Sequence, residues 1–240
     1  MVGVTGSGKS SFISTLLGKD IGIGHEADPC KLQSRPCFFS LRCRYISGTK
    51  DCKVYLLDYG DTRFELIDTP GFDDPTRDGI DILRNISNQL NGVAGVIYCH
   101  RATETRLNGD DRLNLEVVKA MCGERFFSRV VICSTHWDTT APGSREGHRA
   151  RMESLLDKEF GSIMENGGMY KEFLGETEPQ SCIAVLVLFL AQRRPPRMSI
   201  LKQQSQMPTR ETNAGRVIED DYRKRQKGKL ARRQSDARSK

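Results

Sequence analysis

A chain of 240 residues is long enough for one full α/β domain with a sizeable core and a tail, and too short for two ordinary domains. No signal-peptide pattern occurs, and the longest apolar run, Ile183 to Ala191 in "CIAVLVLFLA", is about half a membrane span, so a soluble cytoplasmic protein is expected. The net charge of +6 is unevenly placed, with 15 Lys/Arg against 5 Asp/Glu from Arg193 onward, leaving a mildly acidic body and a basic tail.

The first element opens on "GVTGSGKSS", Gly3 to Ser11, which fits G-x-x-x-x-G-K-[ST] at Gly3, Gly8, Lys9 and Ser10. In this pattern the glycines let backbone N–H groups turn inward around phosphate oxygens, and the following helix offers its positive end. The candidate nucleotide contacts are Gly3, Thr5, Gly6, Ser7, Gly8, Lys9, Ser10 and Ser11, with Lys9 on the β/γ-phosphates and Ser10 on Mg²⁺. The helix is expected from Ser10 to Leu17. Only Met1 and Val2 precede the loop, so either the sheet tolerates a stub or a few upstream residues are lacking.

Further along, Val54 to Asp58 and Arg63 to Ile67 flank a Tyr59-Gly60-Asp61 turn and predict a hairpin. The second run ends in "FELIDTPGF", where Asp68 can hold the Mg²⁺ water shell and the Gly71 backbone can approach the γ-phosphate. Helical spacing of Ile80, Leu83, Ile86 and Leu90 predicts a helix between Asp78 and Asn91. Val93 to Cys99 and Val130 to Ser134 read as buried strands separated by a helix around Asn114 to Met121, and a long charged helix is expected over Arg145 to Glu165. Strands alternating with helices predict a mainly parallel sheet covered on both faces.

The third motif is "VVICSTHWD". Its Thr135-His136-Trp137-Asp138 looks like the [NT]-K-x-D base-reading motif with His136 in the lysine position. One carboxylate, Asp138, can accept both N1–H and N2–H₂ of guanine, which selects that base over adenine, while His136 would stack on it. The eight cysteines contain no C-x-x-C pair and read as reduced thiols, Cys99 and Cys133 packing as small hydrophobes. "CIAVLVLFLA" is compatible with either a strand or a buried helix, and the tail after "RRPPR" is helix-permissive and polar.

In the order loop, D-T-P-G, T-x-x-D, these motifs resemble a GTPase of the septin-like class, closest to the avirulence-induced-gene and immunity-associated GTPases and especially to the G domain-containing P-loop proteins abundant in fungi. "GVTGSGKSSFI", "LIDTPGFDD", "YCHRATETR", "VVICSTHWD" and "ETNAG" carry the likeness from Met1 to about Asp221. The resemblance implies a three-layer α/β P-loop G domain with "CIAVLVLFLA" as its last helix, and the change of composition at Arg193 sets its bounds at residues 1–192, followed by a basic helical or partly disordered tail over 193–240. It also sets off Lys31 to Gly48, eighteen residues whose removal restores the family pattern with Thr49 as the switch threonine sensing Mg²⁺ and γ-phosphate. That segment is either a loop elaboration or a retained short intron.

GTP/GDP and Mg²⁺ are the expected cofactors, with Ser10, Thr49 and Asp68 as metal ligands and Lys9, Thr49, Gly71 and Arg106 as the catalytic set. Phe72 stands after D-T-P-G where a water-orienting glutamine could stand, so slow hydrolysis is expected. The family often assembles G domain against G domain, and Arg101 or Arg106 would supply positive charge within a homodimer, with His100 as a polar partner across the interface. A non-hydrolysing GTP-binding scaffold and an ATP-dependent enzyme are the competing readings. The basic tail offers contact with an anionic membrane surface, and no specific nucleic acid is expected.

Overall fold

The computed structural model describes residues 1–17, 42–48, 52–72, 77–90, 92–104, 106–175, 178–190 and 195–238. After the glycine loop, α1 runs Lys9–Leu17 and buries Phe12, Ile13 and Leu16. Strands β1 (Arg42–Gly48), β2 (Lys53–Tyr59) and β3 (Thr62–Asp68) form an antiparallel sheet in that order. The expected hairpin is β2 and β3, joined at Gly60 and Asp61 with Tyr59 opposite Thr62. Arg42–Gly48 belongs to the segment set off as an interruption, and it pairs with β2 from Arg42 opposite Asp58 to Gly48 opposite Lys53.

Helix α2 (Gly79–Asn88) starts where the Asp78 side chain accepts the Ile80 N–H at 2.9 Å. It ends before Leu90, which packs just beyond the last turn. Next come β4 (Val96–Arg101), α3 (Gly109–Cys122) and β5 (Val130–Thr135). The expected charged helix over 145–165 is two helices, α4 (Arg145–Lys158) and α5 (Gly161–Glu165). Phe160 breaks it by turning fully into the core, edge-on to Tyr98 at 5.6 Å between ring centroids. A strand that no sequence pattern predicts, β6 (Met169–Glu172), comes after them. "CIAVLVLFLA" lies in α6 (Gln180–Leu190), and α7 (Ser199–Gln204) and α8 (Asn213–Arg238) complete the chain.

Strands β4, β5 and β6 are parallel, with Val96 opposite Val130 and Val131 opposite Met169. The described strands thus form a parallel sheet, β4-β5-β6, beside the antiparallel sheet β1-β2-β3. Met1 and Val2 stand between the two halves: the Met1 amine donates to Ile67 C=O at 2.5 Å, and Val2 exchanges backbone bonds with Ile97 and Cys99 at 2.9 Å.

Side chains alternate across the strands, which separates two apolar layers. Ile97, Cys99, Val131 and Cys133 pack with Phe12, Ile13, Val185 and Leu186 of α1 and α6. Val96, Tyr98, Val130 and Ile132 pack with α2, α3, Phe160 and Ile163 on the other face. The result is a three-layer α/β fold. Met198, Ile200, Ala214 and Ile218 join that second layer, so α7 and the start of α8 pack in the same core as residues before 192. Cys52, Cys99, Cys122, Cys133 and Cys182 are buried thiols outside any disulfide.

Candidate functional site

The glycine loop is held against the ends of β4 and β5. Gly3 (φ +138°) leaves no space for a side chain, since a Cβ there would stand 2.5 Å from Cys99 C=O. At Gly8 (φ +86°) a Cβ would meet Thr135 at 3.0 Å. Thr135 is fully buried, with its hydroxyl 2.9 Å from Ser7 C=O and 3.2 Å from His100 C=O. The β5 end therefore supports the loop, and Thr135 acts inside the protein.

Lys9 is 8 % exposed, and its ammonium donates to Gly3 C=O at 2.9 Å and to Val4 C=O at 2.8 Å. Both acceptors belong to the loop, so the ammonium is held inside the loop's own curve. Ser10 Oγ donates to Asp68 Oδ2 at 3.2 Å, linking the first turn of α1 to the end of β3 across 58 positions of sequence. Asp68 Oδ1 and Ser7 Oγ are buried and have no hydrogen-bond partner. A hydroxyl and a carboxylate brought together, with a buried oxygen left over, fit a hard divalent cation and a phosphate beside it.

Gly71 is buried next to Phe72, whose N–H donates to Asn114 Oδ1 of α3 at 3.2 Å. Thr69 Oγ1 donates to Met1 C=O at 2.7 Å, so the D-T-P-G turn is anchored at both ends. Thr49 lies outside the described residues.

At the β5 end His136 has φ +62°, the one non-glycine positive φ among the described residues. This turn sends Trp137 into the core, where its indole N–H donates to Ser134 Oγ at 2.8 Å, and leaves Asp138 exposed. Burial and the nearby Arg101 guanidinium hold the His136 imidazole below its ordinary range, against the pull of Asp138. That shift favours the uncharged ring. Gly175, which no sequence motif marked, packs on Asp138: a Cβ there would stand 2.8 Å from the Asp138 Cβ.

Arg101 reaches the loop of its own chain. Its Nε donates to Gly6 C=O at 2.8 Å, and a Cβ on Gly6 would collide with the guanidinium. Arg106 is exposed. His100, expected as a polar partner across an interface, is instead 1 % exposed and packs on Phe160, so it cannot reach a second molecule. The strand alternation explains this, because adjacent residues of β4 face opposite sides and Arg101 takes the loop side.

The model of the AIG1 family matches residues 1–168, including the loop, Asp68 and the Thr135 to Asp138 segment. The chain belongs to the AIG1 family. This AIG1-family chain is 26 % identical over 148 residues to GTP-binding protein A of Dictyostelium discoideum, a match covering 60 % of the chain and 29 % of that protein. The chain thus spans under a third of that relative's length. Among solved structures it resembles Toc33 from Arabidopsis thaliana in complex with Mg²⁺ and GMPPNP, at TM-score 0.54 and 16 % identity over 82 % of this chain and 85 % of that one. The GDP and Mg²⁺ complex of Toc33 gives TM-score 0.55 at 17 % identity with the same coverage. These likenesses confirm the G-domain fold. No helix among the described residues is long and apolar enough to cross a membrane.

Proposed function

We propose that this AIG1-family chain binds GTP and GDP with Mg²⁺, hydrolyses GTP slowly, and uses nucleotide state to control self-association through its G domain. The observation that carries the reading is the Ser10–Asp68 contact beside Lys9, with a buried carboxylate oxygen awaiting a partner. Ser10 and Asp68 would hold Mg²⁺, with Thr49 as the further ligand; when bound, the ion neutralises charge on the phosphates. Lys9 binds the phosphates from within the loop, the Gly71 backbone N–H faces the terminal one, His136 stacks on the base and Asp138 reads guanine. The Toc33 complexes contain Mg²⁺ with GMPPNP or GDP, which supports this cofactor assignment.

Arg101 steadies the loop from its own chain through Gly6, which leaves exposed Arg106 as the residue able to act across a dimer. A related structure is described as showing that dimerization is important for the GTPase activity of atToc33 and psToc159. For this chain, turnover per molecule should rise with protein concentration and lose that rise in Arg106→Ala, as read by phosphate release. Flat turnover over the range in which sedimentation shows dimers would refute the self-association part.

A scaffold that binds GTP without hydrolysis has one observation in its favour: Phe72 is 8 % exposed and tied to Asn114, so no side chain directly after Gly71 can orient water. Tight binding with no phosphate release at any concentration would select it. The basic face of α8, with Lys224, Lys227, Lys229 and Arg232 exposed, suits an anionic membrane surface.

A further inference from the structure

On the face of β4 opposite the glycine loop, three side chains converge that the nucleotide reading does not use. His100 comes from β4, Glu104 from the turn after it, and Asp111 from the first turn of α3. One ligand atom from each lies within 4.8 Å of the other two. His100 and Asp111 are each 1 % exposed. Two of their atoms, His100 Nε2 and Asp111 Oδ1, are buried with no hydrogen-bond partner. Asp111 Oδ2 is not available, because it accepts the Asn108 N–H at 3.1 Å in a reciprocal helix cap.

A buried imidazole nitrogen and a buried carboxylate oxygen without partners are costly, and a cation held among the three side chains would satisfy both. The cationic neighbour of the cluster is Arg101, whose Nη1 is 3.6 Å from Glu104 Oε1, and its Nε is already engaged with Gly6. We propose that His100, Glu104 and Asp111 bind a divalent transition-metal ion of the zinc class, separate from the nucleotide's Mg²⁺. One imidazole with two carboxylates suits Zn²⁺ or its first-row neighbours better than Mg²⁺ or Ca²⁺, which take oxygen sets. Three protein ligands leave a fourth position for water or a further group. The ion ties the end of β4 to the start of α3 and thereby fixes both ends of the loop that presents Arg106.

The test is a Co²⁺ titration of the full chain, stripped of metal and held reduced in excess Mg²⁺, followed by visible absorption and by displacement with Zn²⁺. The expected result is one Co²⁺ per chain, with ligand-field bands and without the intense near-ultraviolet bands of thiolate ligation, and a Zn²⁺-dependent rise in Tm. Glu104→Gln, at a half-buried position where an amide fits, should weaken binding at least about tenfold and remove the rise in Tm. Asp111→Asn, which keeps an acceptor for Asn108, should do the same. Absence of Co²⁺ binding by wild-type protein that melts cooperatively would overturn the assignment. So would undiminished binding in Glu104→Gln, which would move the metal to another part of the chain.

Discussion

At Gly8 the phosphate loop has no slack: φ is +86° and Thr135 stands 3.0 Å from where a Cβ would be. Gly8→Ala is expected to lose about 1–3 kcal/mol of stability and most nucleotide affinity together, measured by urea unfolding and by titration. Such a variant binding as wild type would show that the loop relaxes more freely than its packing on β5 implies. His136 makes a different prediction. Its folded-state pKa lies below the ordinary histidine value, so the unfolded chain takes up the proton first as pH falls. The stability it contributes is complete above the unfolded value of about 6.5 and is lost as pH falls through the lower folded value. Urea melts of wild type and His136→Gln at descending pH should therefore converge in the acid range, with wild type losing more. Parallel curves would mean that the imidazole is not held neutral by its surroundings.

Among the elements, the helix after the G-domain core poses the sharpest energetic contrast. Ile218 of α8 is buried in the layer that contains α2 and α3, and its Cγ2 is 3.0 Å from where a Cβ on Gly79 would sit. Arg225, further along the same helix, bonds Asp110 at 2.6 Å with both side chains about half exposed. Ile218→Ala should cost about 2 kcal/mol or more, because it removes packed methylenes and leaves a cavity. Arg225→Ala should cost at most about 1 kcal/mol, since solvent screens the pair. Equal costs measured by chemical denaturation would contradict the packing of α8 on the domain. A boundary placed at residue 192 from the basic composition of the tail separates Met198, Ile200 and Ala214 from the layer they pack in. Net charge marks where the surface changes, while four scattered apolar residues decide where the core ends.

Across the whole molecule, the parts legible in the sequence were those with a short repeat or a fixed motif. Alternating residues in β4 and β5, the β2–β3 hairpin and the glycine loop all obey local rules, and the structure sets Ser10 Oγ 3.2 Å from Asp68 Oδ2 while the Lys9 ammonium lies within the loop. The hidden parts depend on contacts between distant segments. The break at Phe160 answers Tyr98, the supporting role of Thr135 answers Ser7, and the inward turn of His100 comes from which face of β4 meets α3 and Phe160. Strand β6 is short and half-exposed, with too little alternation to announce itself. Helix α6 was ambiguous on its residues alone, since a run apolar on every side suits either kind of element.

The central claim is that the loop around Lys9 captures a magnesium-bound guanine nucleotide and that Asp138 chooses the base. The most direct measurement is calorimetric titration of GTP and of ATP in Mg²⁺, on wild type and on Asp138→Ala. The expected result is one site per chain that takes GTP much more tightly than ATP, with the difference between the two nearly gone in the variant. No heat from either nucleotide on folded protein, or a preference for ATP that Asp138→Ala leaves unchanged, would contradict it.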